Sequence, residues 1–292
     1  MKARKVLSVL AALFIILIPS AFSEETQEIL EVHFLSVGTN DGILLRAGDE
    51  CAFIDSGNYP EGVKCAEYLK EAGVTNLKYY IGTHAHLDHV GGASAIISRI
   101  PTESIVYTYE ANLNAMYVMA KTEEDASALD AALRIPMNYM DVLTLGGATL
   151  TCVGPDTYVP KHDLYDTTEN NNSLLLHVQY GGISFFLTGD SPSWKVLQMD
   201  KKHPEVLKSS VIKAPHHRGG FDKSVYKLID SEYIIFSTAD TWLPQANQMK
   251  MAEESSKGVL ITADNRNGNI VFTTDGKTLS VRTQFDFDYT AD

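Results

Sequence analysis

The sequence predicts an α/β (α+β) protein built as a four-layer αββα sandwich, a single domain over residues 24–292 behind a leader at residues 1–23. Three observations carry this. Short apolar runs ending in Gly, Asn or Asp recur along the chain, as strands between turns do. Segments with apolar residues at helical spacing are interleaved with them. No linker, repeat or low-complexity stretch separates the two halves. Two sheets stacked between helices bury all these apolar faces at once.

The elements follow in order. Lys2, Arg4 and Lys5 precede an apolar run from Val6 to Ile18, and Ala21-Phe22-Ser23 places small residues where a signal peptidase reads. A predominantly apolar run of thirteen residues is short for a bilayer span, so this is a secretory signal cleaved after Ser23, with an uncleaved anchor as the alternative. The expected location is therefore extracellular, with no stable membrane insertion unless the signal is retained. Leu30 to Val37, Gly42 to Ala47 and Cys51 to Ile54 read as a meander, and Glu61 to Ala72 as a helix with Val63, Ala66, Tyr68 and Leu69 inward. Leu77 to Ile81 is a strand, and a helix is expected from Val90 to Ile100. Ser104 to Tyr109 is a strand, and Ala111 to Leu133 one or two helices whose Met116, Tyr117 and Met119 form a core stripe. Strands follow at Thr149 to Val153, Ser173 to Tyr180 and Ile183 to Thr188, the last two joined at Gly181-Gly182. Helices at Trp194 to Met199, Lys223 to Ile229 and Gln245 to Ser255 then alternate with strands at Val211 to Ala214, Tyr233 to Ser237 and Val259 to Thr262. Asn269 to Thr274 and Leu279 to Thr283 close the chain as a pair joined at Asp275-Gly276.

Charge and cysteine narrow the function. The chain has 24 basic and 37 acidic residues, and loss of the leader's three basic residues leaves 21 against 37, a balance of −16. An acidic surface disfavours a long polyanion held by phosphate contacts, although a bound divalent cation reverses the sign locally. The cysteines are Cys51, Cys65 and Cys152, an odd count that is not a disulfide framework. Cys51 and Cys152 lie in apolar runs and read as buried residues; a Cys51–Cys65 bridge is left open.

One stretch carries most of the chemistry. Residues 83–92 read Thr-His-Ala-His-Leu-Asp-His-Val-Gly-Gly, placing His84, His86, Asp88 and His89 on the turn after a strand. Imidazole suits Zn, Fe and Mn, and carboxylate suits the harder of these ions. Three further strands end in ligand-type residues: Phe53-Ile54-Asp55, Phe185 to Asp190, and Val211 to His217. Each places Asp or His just past a buried strand, where loops gather on one face. No Ser-His-Asp arrangement or phosphate-binding Gly-Lys loop is present.

These motifs resemble the metallo-β-lactamase-fold hydrolases. Thr83 to Gly92 matches the His-x-His-x-Asp-His motif in full. More narrowly, the chain is similar to the branch holding the hydrolase domain of ComEC-type competence proteins and the phosphorylcholine esterases. His33 to Leu44, Asn170-Asn171-Asn172-Ser173-Leu174, Leu187 to Asp190 and Ala214-Pro215-His216-His217 carry that resemblance. It implies two divalent metal ions, Zn or Mn. His84 and His86 would bind the first; Asp88, His89 and a late His the second; Asp190 would bridge them. The late ligand is His216 or His217, with His216 preferred and its neighbour either supporting the ligands from behind or acting as proton donor. Asp55 would orient a ligand imidazole, and Asn172 and Ser173 would stand behind the metals or touch substrate. Asp88, Asp190 and His217 are the residues expected to carry catalysis.

The chain departs from the family pattern in three places. The third His of the first site is missing from the Asn170–Ser173 stretch, and His177, inside a strand, reads as structural, as do His33 and His203. A ligand-poor first site shifts the expectation toward Mn or a labile Zn. Arg218-Gly219 replaces the usual Gly-Ser, and Trp242-Leu243-Pro244 stands where the branch has Gly-His-Pro. His162, Asp163, Tyr165 and Asp166 read as a polar surface loop, with a loop bordering the substrate as the alternative. The resemblance implies hydrolysis by a metal-bound hydroxide, most simply of a phosphoester or phosphodiester in a small molecule or cell-wall polymer. A DNA nuclease is disfavoured by charge, and a β-lactamase by the missing His. A non-catalytic metal-binding or interaction module on the same fold is the alternative of a different class.

Overall fold

The computed structural model describes residues 29–158 and 167–286. The leader and the loop residues His162, Asp163, Tyr165 and Asp166 lie outside the described residues. The first half of the chain runs β1 (Leu30–Phe34), β2 (Ile43–Ala47), β3 (Glu50–Ile54), α1 (Tyr59–Glu71), β4 (Leu77–Ile81), α2 (Leu87–Val90), α3 (Ala93–Ile97), β5 (Thr102–Tyr107), α4 (Glu110–Val118), α5 (Glu123–Ala131) and β6 (Leu133–Pro136). The second runs β7 (Val142–Leu145), β8 (Ala148–Gly154), β9 (Leu175–Tyr180), β10 (Ile183–Leu187), α6 (Ser193–Asp200), β11 (Val211–Lys213), α7 (Lys223–Tyr226), β12 (Ser231–Phe236), α8 (Ala246–Ser255), β13 (Ser256–Ile261), β14 (Ile270–Thr274) and β15 (Leu279–Thr283).

Two mixed sheets form, in the orders β15-β14-β1-β2-β3-β4-β5-β6 and β13-β12-β11-β10-β9-β8-β7. Strand alternation sorts their side chains into three cores. Val32, Phe34, Leu45 and Ile54 from one sheet meet Leu150, Leu176, Phe185 and Val211 from the other between the sheets. Leu44, Phe53 and Tyr80 face the opposite way, onto Leu69 of α1, Ile96 of α3 and Met116 of α4. Phe186, Ile212 and Phe236 do the same toward Val196, Val225 and Ala252 of α6, α7 and α8. This is the four-layer sandwich the sequence predicts.

The differences have local causes. β6 and β7 are not marked by the sequence pattern because they are edge strands with exposed Leu133 and Val142, so no apolar alternation announces them. The helix expected from Val90 instead begins at Leu87, inside the His-rich turn, and resumes as α3 after Gly91-Gly92. Glycine is required there: a Cβ on Gly92 would stand 2.7 Å from both Gly62 Cα and Ser56 O, so α1 packs backbone to backbone against this turn. β9 starts at Leu175, because Thr167–Asn172 forms a 3-10 turn. All three cysteines are buried and free, which answers the open Cys51–Cys65 pairing.

Candidate metal centre

The loops after β3, β4, β10, β11 and β12 meet at one end of the sandwich. The β3 strand is followed directly by Asp55, which takes φ +57° and is fully buried. Its carboxylate accepts the Thr83 N–H at 2.8 Å, the Thr83 hydroxyl at 2.7 Å and His89 Nδ1 at 2.7 Å. That fixes the His89 tautomer. With Nδ1–H donated to Asp55, Nε2 is the nitrogen left to a proton or a cation, and it points at Asp190 Oδ1, 3.3 Å away.

The late loop behaves the same way. His216 and His217 both take left-handed backbone angles, φ +54° and +56°. Two such residues in succession cancel the strand alternation and turn the His217 ring inward. Its Nδ1 donates to the Ser237 carbonyl at 3.0 Å, which leaves Nε2 facing Asp88 Oδ2 at 3.4 Å and Asp190 Oδ2 at 3.8 Å. Ligand atoms of Asp88, His89, Asp190 and His217 lie within 4.8 Å of one another. His216 does not join them. Its ring is exposed in the adjoining cleft while its backbone N–H donates to Asp190 Oδ1 at 3.1 Å. The preference for His216 as late ligand is therefore reversed: the geometry puts His217 in that place.

His84 and His86 stand beside this group. His84 is fully buried, with Nδ1 3.1 Å from the Thr83 hydroxyl and Nε2 3.1 Å from His86 Nδ1; its ring lies 4.2 Å from that of His89. Burial, then the nearby His89, holds the His84 imidazole well below its ordinary value, so it is neutral. Burial works in the same direction on His89, but the Asp190 and Asp55 carboxylates outweigh it and hold that ring well above its ordinary value. Asp190 is also buried, yet His89 and His217 keep its carboxyl far below the usual range.

Among the expected supports, Ser173 accepts the Asp190 N–H through its hydroxyl at 3.1 Å. Asn172 is fully buried at the end of its 3-10 turn. His177 lies on β9 outside the cluster; His33 and His203 bond Tyr68 and Tyr139, each at 2.8 Å. Two residues escaped the sequence reading. Lys213 is fully buried and donates to the Gly189 carbonyl at 3.0 Å and to Asp41. Asp41 in turn sits 3.7 Å from His89 Nδ1 and 3.9 Å from His217 Nδ1. The available signal was a lysine at the end of the apolar run Val211-Ile212-Lys213, where a charge needs a buried partner.

The donor set fits divalent cations. The Nε2 atoms of His89 and His217 are buried with no hydrogen-bond partner, and each faces carboxylate oxygen. Orphaned buried nitrogens are rare unless something else satisfies them, and each is the nitrogen that would ligate a cation on giving up its proton. The sequence profile of the metallo-β-lactamase superfamily matches residues 36–190. This chain belongs to that superfamily. Its matched segment includes Asp55, the His-rich turn and Asp190; His217 lies beyond it.

ComE operon protein 3 of Bacillus subtilis (strain 168) is 26% identical over 152 residues, 51% of this chain but only 18% of that protein. The chain thus corresponds to a minor part of that relative's length. A mutant of the CmlA β-hydroxylase superposes with a TM-score of 0.51 at 12% identity, over 80% of this chain and 52% of that one. CmlA is described as a diiron β-hydroxylase from Streptomyces venezuelae. A metallo-β-lactamase from Cronobacter sakazakii, a HARLDQ-motif mutant, covers 62% of this chain and 75% of its own at 16% identity and a TM-score of 0.42.

Proposed function

We propose that this chain is an exported metal-dependent hydrolase, residues 24–292, acting on a phosphoester or phosphodiester of a small molecule or wall polymer. The observation that carries the hydrolase reading is the pair of buried, unpartnered Nε2 atoms of His89 and His217 aimed at Asp88 and Asp190. Asp88, His89 and His217 would hold one divalent ion, and His84 and His86 the other, with Asp190 between. A bound pair supplies a water acidic enough to act as nucleophile near neutral pH, and positive charge for the transition state. The remaining work belongs to the chain. Asp55 and the Ser237 carbonyl fix the two ring tautomers, and Ser173 and His216 fix the Asp190 main chain and carboxylate. Beside them opens a cleft of about 390 Å3, lined by Asn170, Ser191, Trp194 and His216. His216, which lines this cleft, would hand a proton to the leaving group.

The phosphoester class is supported by the resemblance to the ComEC and phosphorylcholine-esterase branch and by the similarity to ComE operon protein 3. The −16 balance of the processed chain argues against a long nucleic-acid groove. Export is supported by the leader's sequence, and no helix among the described residues is long and apolar enough to cross a membrane.

The test is turnover of bis(p-nitrophenyl) phosphate, p-nitrophenylphosphorylcholine, nitrocefin and single-stranded DNA with Mn, Zn or Fe supplied. Iron joins the metals because CmlA, on this fold, is a diiron protein. Phosphodiester hydrolysis is expected, with about two ions per chain and a loss of about a hundredfold or more in His217→Ala and Asp190→Asn. Wild-type rates in both variants, or a chain that binds no metal, would end the reading and leave a non-catalytic module.

A further inference from the structure

Strand alternation decides where Lys213 points. In β11, Val211 faces the core between the sheets and Ile212 faces the helices. Lys213 comes next and is turned back between the sheets, where it is fully buried. A buried charge is costly unless it is paired and hydrogen-bonded. The ammonium donates to the Asp41 carboxylate and, at 3.0 Å, to the Gly189 carbonyl. Asp190 Oδ1 lies 3.9 Å from it, too far for a hydrogen bond.

Both partners lead to candidate ligands of one ion. Gly189 takes φ +49°, and the peptide that joins it to Asp190 is held at both ends: Lys213 bonds its carbonyl, and Ser173 Oγ accepts its N–H at 3.1 Å. Asp41 comes from the other sheet, just before β2, and its own carbonyl accepts the Gly57 N–H at 3.1 Å. Its carboxylate lies between two rings. Oδ2 is 3.7 Å from His89 Nδ1, and Oδ1 is 3.9 Å from His217 Nδ1. Asp41 Oδ1 is buried with no hydrogen-bond partner. Each Nδ1 bonds elsewhere, to Asp55 and to the Ser237 carbonyl, so Asp41 acts on the rings through its charge. A negative charge behind both rings favours a proton at each Nδ1 and leaves each Nε2 to face the cation.

We propose that Lys213 is a positioning residue for the ion held by Asp88, His89 and His217. Through the Gly189–Asp190 peptide it sets Asp190, and through Asp41 it sets the two imidazoles, so one ammonium aligns ligands from both sheets without ligating. This role rests on the metal-dependent reading above and deepens it. Two effects of the ammonium oppose each other. Its charge, so close to Asp190, repels a divalent cation. Its hydrogen bonds align the groups that bind one. Removing it therefore tightens metal binding if charge alone matters, and weakens it if alignment does.

The test uses the full chain and reads metal binding directly. Mn and Zn affinities are measured by chelator competition, and the ligand field by the visible absorption of bound Co. The variants are Lys213→Met and the double variant Lys213→Met/Asp41→Asn, which keeps the shapes and leaves the net charge unchanged; circular dichroism checks their folding. Both are expected to keep one ion at wild-type affinity and to bind the other about 10- to 100-fold more weakly, with an altered Co spectrum. Where Lys213→Met alone does not fold, because Asp41 is left buried without its partner, the double variant decides by the same criteria. Tighter binding in Lys213→Met, or wild-type affinities and spectrum in the double variant, overturns the role. Equal weakening of both ions also overturns it, since that marks a general loosening of the fold. A wild type that binds two ions but hydrolyses no phosphoester ends the phosphoester reading and leaves the Lys213 result standing. A wild type that binds none ends the metal reading and this role together.

Discussion

At the scale of single residues, Asp55 is the group on which the candidate metal centre turns, although it faces no cleft. It accepts three hydrogen bonds from Thr83 and His89 and so dictates which His89 nitrogen keeps its lone pair. Asn fits the same shape and tolerates the left-handed backbone. It cannot accept on both arms, however. An amide that keeps the Thr83 N–H bond turns its NH2 toward His89 Nδ1, and the imidazole proton moves to Nε2. Asp55→Asn is therefore expected to stay folded and to weaken metal binding by about 10- to 100-fold, read by chelator competition; unchanged affinity would remove Asp55 from this role. Its position was legible in the sequence, since a strand-end Asp after Phe53-Ile54 needs only the meander to be recognised. The choice between His216 and His217 was not, because it is made by two consecutive positive φ angles that no side-chain pattern encodes. The Lys213–Asp41 pair was hidden for another reason: its members lie far apart in the chain and are joined only by sheet packing.

At the scale of elements, the helices on the outer face of the first sheet are tied by one carboxylate. Thr122 caps α5, its hydroxyl accepting the Asp125 N–H at 3.0 Å. Asp125 answers by accepting the N–H groups of Lys121 and Thr122, the Ser98 hydroxyl at the end of α3 and the Tyr59 hydroxyl at the start of α1. Burial pushes this carboxyl up, but the bonds from Ser98, Lys121, Tyr59 and Thr122 together hold it below the usual range. The sign follows: a carboxyl whose folded pKa is depressed stabilises above its unfolded value, near 3.9, and that stability is lost as pH falls through the folded pKa. Asp125→Ala should cost about 1–3 kcal/mol at pH 7, with the gap to wild type closing under acid. Urea unfolding at pH 7 and at pH 3 reads this, and an equal gap at both would refute the linkage. Elements with a buried face, such as α1, β4 and β10, were legible because apolar period exposes them. The edge strands β6 and β7 were not, since each exposes most of its residues.

At the scale of the whole molecule, the candidate centre sits across the seam of the sandwich. His84, His86, Asp88 and His89 follow β4 of one sheet, whereas Asp190 and His217 follow β10 and β11 of the other. Across this seam the Leu174 N–H reaches the Thr83 carbonyl at 2.9 Å, just behind the candidate ligands. Without a cation, Asp88 and Asp190 face each other with only His89, His217 and the deeper Lys213 to offset them. A bound ion would join the two sheets by ligands from both and bind only the folded chain. Binding to the folded state alone raises stability by RT ln(1 + [M]/Kd), about 2.7 kcal/mol when free metal is a hundredfold above Kd. For a domain of this size that corresponds to a rise in Tm of about 5–10 °C. The expected result is a wild-type Tm that falls by that amount on EDTA treatment and recovers when Mn or Zn is restored. His217→Ala, which cuts one side of the seam, should melt near the chelated wild type and respond little to either treatment. A wild-type Tm indifferent to chelator and to added metal would mean that the two halves are held by their apolar cores alone and that the histidine cluster does not retain a cation.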